Sequence, residues 1–141
     1  MNFRAARTAT AWLVLLIAAA SAAGCVSQER KKGEGLHNDV RTYGKALRWG
    51  YYDQAAVFLH PRNESSSTEI DRDALEDIRV TSYEIVRVEF REGDDQAAVT
   101  AIIDYYNERV NVVKTITDKQ KWWYDPETEK WGLDGSLPAF Q

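Results

Sequence analysis

Apolar residues change their spacing along this 141-residue chain, and each change marks a different kind of element. Ala11 to Ala20 (AWLVLLIAAA) is one unbroken apolar run, preceded by Arg4 and Arg7 and followed by small residues up to Cys25. The run is about half the ~20 residues that a membrane-spanning helix needs. A basic start, a short apolar segment and small residues are the order of an export signal. Val26 to Gly35 is polar, contains Gly33 and Gly35 and has no apolar period, which predicts a flexible tether. Leu36, Val40, Tyr43 and Leu47 then recur at spacings of four, three and four, one face of a helix. Gly50 ends it, as glycine does just past a helix. Asp53 offers an N-cap, with Tyr52 and Val57 placed as a hydrophobic staple, for a second helix carrying Ala56, Phe58 and Leu59 up to His60-Pro61. After a loop over Asn63 to Thr68, Ser66 and Glu69 form a capping box for a third short helix with Ile70, Ala74, Leu75 and Ile78 on its apolar side.

From Val80 the period becomes two. Tyr83 and Ile85 share one face, whereas Val86, Val88 and Phe90 share the other, so an extra residue at Ile85/Val86 predicts a β-bulge that restores one apolar face. Glu92 to Asp95 is a hairpin turn, and Ala97 to Tyr106 (AAVTAIIDYY) is apolar on both faces, as a central strand is. Asn107-Glu108-Arg109 turns the chain into Val110, Val112 and Ile116, alternating with Val113, Thr115 and Thr117. Lys121 to Tyr124, a turn over Asp125 to Glu129, and Lys130 to Leu133 follow. Trp122 and Trp123 must point to opposite faces. Leu137, Ala139 and Phe140 predict a tail that docks. Three helices followed by an antiparallel meander define an α+β domain.

Charge and cysteine content narrow the function. The chain carries 18 basic and 22 acidic side chains. Residues 1–24 hold two of the basic and none of the acidic ones, leaving 16 against 22 beyond them, a balance of −6. That excludes the electrostatic footprint of a nucleic-acid binder. Cys25 is the only cysteine, so no intrachain disulfide forms. Ala22-Ala23-Gly24-Cys25 resembles the lipobox of bacterial lipoproteins, although the position three before the cysteine, most often leucine, is Ala22. The resemblance implies cleavage before Cys25, acyl chains such as palmitate on its sulfur and a membrane anchor. By the sorting rule of Gram-negative bacteria, Val26 in place of aspartate implies the outer membrane, facing the periplasm. Cleavage after Ala22 into a soluble secreted protein is the alternative. The domain organisation is then a signal over residues 1–24, a tether over 25–35 and one α+β domain over 36–141.

The helical pair Ala46-Leu47-Arg48-Trp49-Gly50 and Tyr51 to Leu59, with the tryptophan hairpin Trp122-Trp123-Tyr124-Asp125 to Lys130-Trp131-Gly132-Leu133, resembles the nuclear-transport-factor-2-like (NTF2-like, cystatin-like) superfamily. That resemblance implies N-terminal helices packed on a curved antiparallel sheet, a cone. Superfamily members similar to ketosteroid isomerase hold a carboxylate base and a tyrosine donor inside the cone. By that likeness Asp104, with Tyr83, Tyr105 or Tyr106, is the candidate pair for proton transfer. Tyr43, Tyr83, Asp104, Tyr106 and Trp123 are the candidate pocket residues. His37 and His60 have no carboxylate or cysteine at ligand spacing, so no metal site and no cofactor is predicted. No nucleophile-elbow, phosphate-loop or dinucleotide motif occurs. The expected function is a non-catalytic lipoprotein domain that binds an envelope protein, or a second copy of itself, through an apolar patch on the sheet. The alternatives are a carrier enclosing a small apolar ligand and a proton-transfer enzyme using Asp104.

Overall fold

The computed structural model describes residues 28–62, 70–91, 93 and 95–141. Cys25, the export signal, the start of the tether and the Ser66/Glu69 capping box lie outside the described residues. The chain divides into two units, Met1–Glu34 and Gly35–Gln141. In the first, residues 28–34 are helical, where a flexible tether was expected. Gln28, Glu29, Arg30, Lys31, Lys32 and Glu34 are unbranched side chains that lose little rotamer freedom in a helix, which outweighs Gly33. No helix among the described residues is long and apolar enough to cross a membrane.

In the second unit, helix α1 (residues 35–48) buries Leu36, Val40, Tyr43 and Leu47, all at most 1% exposed, on the face that their spacing predicts. Its end is a Schellman closure. Gly50 takes φ +69°, its N–H donates to the Leu47 carbonyl at 3.1 Å, and the Tyr51 N–H donates to the Ala46 carbonyl at 2.8 Å. Helix α2 (Tyr52–Ala56) follows, with Tyr51 rather than Asp53 at its N-cap. Asp53 lies in the first turn and pairs with Arg72 at 2.6 Å on the surface. Helix α3 (Arg72–Leu75) is capped by Asp71, whose carboxylate accepts the Ala74 N–H at 3.1 Å. Ile78, expected on this helix, instead opens the sheet.

Strands β1 (Ile78–Phe90), β2 (Gln96–Asn107), β3 (Val113–Asp125) and β4 (Lys130–Leu133) form one antiparallel sheet in sequence order. The stretch expected as separate strands around Thr117 and Lys121 is the single strand β3. The predicted bulge is present: Ile85 faces Ala101 and Arg87 faces Thr100, leaving Val86 as the extra residue. A second one omits Thr81. Together they place Ile78, Val80, Tyr83, Ile85, Val88 and Phe90 on the same face as Val99, Ala101 and Ile103 of β2. That inner face packs on α1.

The edge of β4 is closed at one end by Leu59. The Leu133 N–H donates to the Phe58 carbonyl at 2.6 Å and the His60 N–H donates to the Leu133 carbonyl at 2.9 Å. The tail docks as predicted. Phe140 packs edge-on against Tyr105 at 4.9 Å between ring centroids, and the Gln141 N–H donates to the Tyr105 hydroxyl at 3.0 Å. Among the described residues, every buried hydrophobic residue lies between Leu36 and Leu133, so the unit carries a core of its own.

Candidate functional site

Away from its end at Asn107 and Lys114, the inner face of the sheet is apolar except at one place on β3. Alternation along that strand puts Ile116, Asp118, Gln120 and Trp122 on the face whose β2 partners are Ile103, Ala101, Val99 and Ala97. Trp122, 1% exposed, sits edge-on to Tyr43 and Phe58, with centroids 5.9 and 6.0 Å away. Tyr83 on β1 meets Tyr43 at 6.2 Å. It lies against α1 because position 44 is glycine: a Cβ there would come within 2.4 Å of the Tyr83 ring.

Gln120, 4% exposed, organises the polar atoms of this region. The Trp122 indole N–H donates to its Oε1 at 2.9 Å. Indole nitrogen only donates, so this contact fixes which way the amide points. Its Nε2 then donates to the Tyr83 hydroxyl at 2.8 Å and to Asp118 Oδ2 at 2.7 Å. The Tyr83 oxygen is used as an acceptor, and its own hydrogen remains available. The Tyr43 hydroxyl is fully buried and has no hydrogen-bond partner among the described residues. Burial pushes the Asp118 carboxyl up, partly offset by the Gln120 hydrogen bond. Burial also pushes both phenols well above the ordinary tyrosine range. For Tyr43 the charge of Asp118 adds to this; for Tyr83 the Gln120 bond opposes it. Both phenols therefore stay protonated at neutral pH. The group thus offers, among the described residues, two unspent O–H donors and a half-buried carboxylate, and Tyr83 and Asp118 are both partly exposed.

Of the residues singled out from sequence, the fold brings Tyr43 and Tyr83 together and sends the others elsewhere. Asp104 pairs with Ser82 and Thr115 on the outer face, where its carboxylate accepts the Thr115 hydroxyl at 2.6 Å. Tyr106 is on that face too, between Arg79 and Val113. Trp123, opposite in direction to Trp122, donates its indole N–H to the His60 carbonyl at 2.9 Å and has the Arg62 guanidinium 5.3 Å from its ring centroid. Tyr105 faces inward but is occupied by the tail. Asp118 and Gln120 are the residues that sequence reasoning missed. The available signal was parity: with Trp122 pointing inward, Gln120 and Asp118 do so as well.

The outer sheet face is mixed: Glu84, Arg87, Glu89, Thr100, Asp104, Thr115, Thr117, Lys119 and Lys121 share it with the partly exposed Ile102 and Tyr106 and with Val113, its one exposed large hydrophobic at a paired position. Two clefts lie away from the Asp118 group. One, about 860 Å³, runs between α2, α3 and the start of β1. Within its wall Arg72 pairs with Asp53, and the Tyr52 hydroxyl donates to the Ile78 carbonyl at 3.1 Å. The other, about 530 Å³, is lined by Phe58, His60, Trp123 and Trp131.

No family model and no curated protein matches the chain. Solved structures do. A ketosteroid isomerase-like protein from Erwinia carotovora atroseptica aligns at a TM-score of 0.55 with 13% identity, over 75% of this chain and 96% of its own. An NTF2-like protein from Cytophaga hutchinsonii aligns at 0.52 with 17% identity, over 74% of this chain and 95% of its own. At such identities the likeness is one of fold: helices packed on a four-stranded antiparallel sheet, in the NTF2-like arrangement.

Proposed function

We propose that this chain is a lipid-anchored envelope protein whose domain binds a small, largely apolar molecule carrying one uncharged hydrogen-bond acceptor, such as a carbonyl. The observation that carries the binding reading is Tyr43, a fully buried phenol without a partner among the described residues, beside Tyr83 and Asp118. A buried polar group left unpaired costs about 1–3 kcal/mol, and a bound acceptor between the two phenols removes that cost. The aromatic wall of Tyr43, Phe58, Tyr83 and Trp122 suits an apolar body. Asp118 disfavours an anion. The anchor rests on Cys25 and the run before it. The mixed-charge outer face supports protein association less well.

NMR titration with uncharged ketones of increasing apolar size tests the binding. Shifts should centre on Tyr43, Tyr83, Asp118 and Gln120, and Tyr43→Phe and Tyr83→Phe should each weaken binding a few-fold to about tenfold, the worth of one neutral hydrogen bond. Asp104→Asn should leave it unchanged. Perturbations mapping to the outer face, or affinity indifferent to both phenols, would reject the site. Radiolabelled palmitate incorporated into the wild type and absent from Cys25→Ser tests the anchor.

A second reading is favoured by one feature. Asp118, a carboxylate held up by burial and linked through Gln120 to a phenol, has the components of a proton-transfer site, in place of Asp104. Deuterium exchange of acidic C–H bonds in a bound ketone, abolished by Asp118→Asn with binding retained, would establish it. Exchange unaffected by that substitution would remove it.

A further inference from the structure

The chain is acidic overall, yet the solvent face of α1 is not. His37, Arg41, Lys45 and Arg48 are all exposed and spaced by four, four and three, so they form one stripe along the helix. The only acidic residue among residues 35–48 is Asp39, which is half-buried and accepts the Trp131 N–H. Arg41, Lys45 and Arg48 form no ion pair among the described residues. The stripe ends at three large apolar side chains held out to solvent: Trp49 at 72% exposure, Tyr51 at 53% and Val57 at 71%. A cleft of about 270 Å³ lies beside Trp49 and Tyr51, with Lys45 and Gln54 also in its wall. The neighbouring Asp53 is paired with Arg72 and does not neutralise the stripe.

We infer that this corner of the domain, the basic face of α1 with Trp49, Tyr51 and Val57, docks on the surface of an anionic lipid bilayer. Cations are drawn to the negative leaflet, each strengthening binding roughly fivefold. Tryptophan and tyrosine settle at headgroup depth, where an apolar ring and a polar edge are both satisfied. A rigid helix end that presents both features on one side matches a flat anionic surface, while the sheet's outer face, with its interleaved signs, does not. Docking stands on α1 and α2 alone. It does not need the anchor on Cys25 or the ligand site on the inner face, and it would orient the domain on whatever membrane holds it.

Flotation of residues 26–141, which contain the whole core and lack Cys25, tests the inference. The chain should float with vesicles containing phosphatidylglycerol and stay behind with pure phosphatidylcholine, and binding should fall as salt shortens the screening length. Arg41→Gln, Lys45→Gln and Arg48→Gln combined should weaken binding about 100-fold, three charges at roughly fivefold each. Trp49→Ser should weaken it further. All four positions are exposed, so these variants fold, which an unchanged melting temperature verifies. The same charge removed from the sheet by Arg87→Gln, Lys119→Gln and Lys121→Gln should leave flotation intact. No flotation with anionic vesicles at low salt, or equal loss from both triple variants, would overturn the inference. Failure here leaves palmitate labelling and ketone binding untouched.

Discussion

Replacing Tyr43 by phenylalanine isolates one oxygen atom. The ring keeps its edge-to-face contacts with Phe58, Tyr83 and Trp122, at 6.2, 6.2 and 5.9 Å between centroids, because none of them involves the hydroxyl. The residue is fully buried, so no solvent contact changes. The substitution removes an O–H that has no partner among the described residues and relieves a desolvation cost of about 1–3 kcal/mol. In a domain of about 100 residues, 1 kcal/mol shifts the melting temperature by about 4 °C or more. Tyr43→Phe in the ligand-free chain is therefore expected to melt at least about 4 °C higher, with a higher urea midpoint and an unchanged slope. The same substitution is expected to weaken ligand binding. This opposition of stability and affinity marks a group kept for function at the expense of the fold. A Tyr43→Phe domain that melts lower by a similar amount would refute the reasoning, because it would show the hydroxyl to be satisfied in the folded protein.

Gly44→Ala gains helix propensity worth about 1 kcal/mol, but its Cβ would sit 2.4 Å from the Tyr83 ring. Overpacking costs about 1–3 kcal/mol, so a net loss of stability is expected, together with a displaced Tyr83 resonance; a more stable variant with Tyr83 unmoved would contradict the close approach. Asp118 sets a pH dependence whose sign follows from its raised carboxyl. The folded state holds the proton to higher pH than the unfolded chain, so its stabilising contribution is complete below the ordinary carboxyl range and is lost as pH rises through the raised value. Asp39 shifts in the same direction, also through burial, and is common to both proteins in the comparison. Asp118→Asn should accordingly match the wild type in acid and exceed it at pH 7 in urea unfolding; a deficit of constant size at every pH would show that the carboxylate is not strained by burial.

Several features of the fold were legible because one residue type had a single outlet. Gly50 stops α1 with a positive φ, and the parity break at Ile85/Val86 appears as a bulge at Val86. Trp122 and Trp123 diverge, and Phe140 docks on Tyr105. The candidate site was only half legible. Tyr43 belongs to the apolar face of α1 and so could be placed. The stretch around Asp104 could not, because β2 is apolar on both faces: Val99, Ala101 and Ile103 alternate with Ala98, Thr100 and Ile102, and pattern alone does not say which set turns inward. Asp118 and Gln120 stand among Thr117, Lys119 and Lys121, which reads as a solvated strand, and only their register with Trp122 draws them inside. Gly44 interrupts a helical pattern without a local reason, since the reason is a ring from β1. Residues 28–34 read as a tether through their glycine and polarity, whereas the long unbranched side chains around Gly33 favour the helix they form.

The central claim is that the Tyr43, Tyr83 and Asp118 group holds a small molecule. Native mass spectrometry of the full-length protein, purified from its own cell envelope in mild detergent, tests it most directly. A second mass of small-molecule size is expected on the wild type, released on denaturation and diminished in Tyr43→Phe and Tyr83→Phe. Protein carrying only its polypeptide and anchor mass, in wild type and variants alike, would contradict the account.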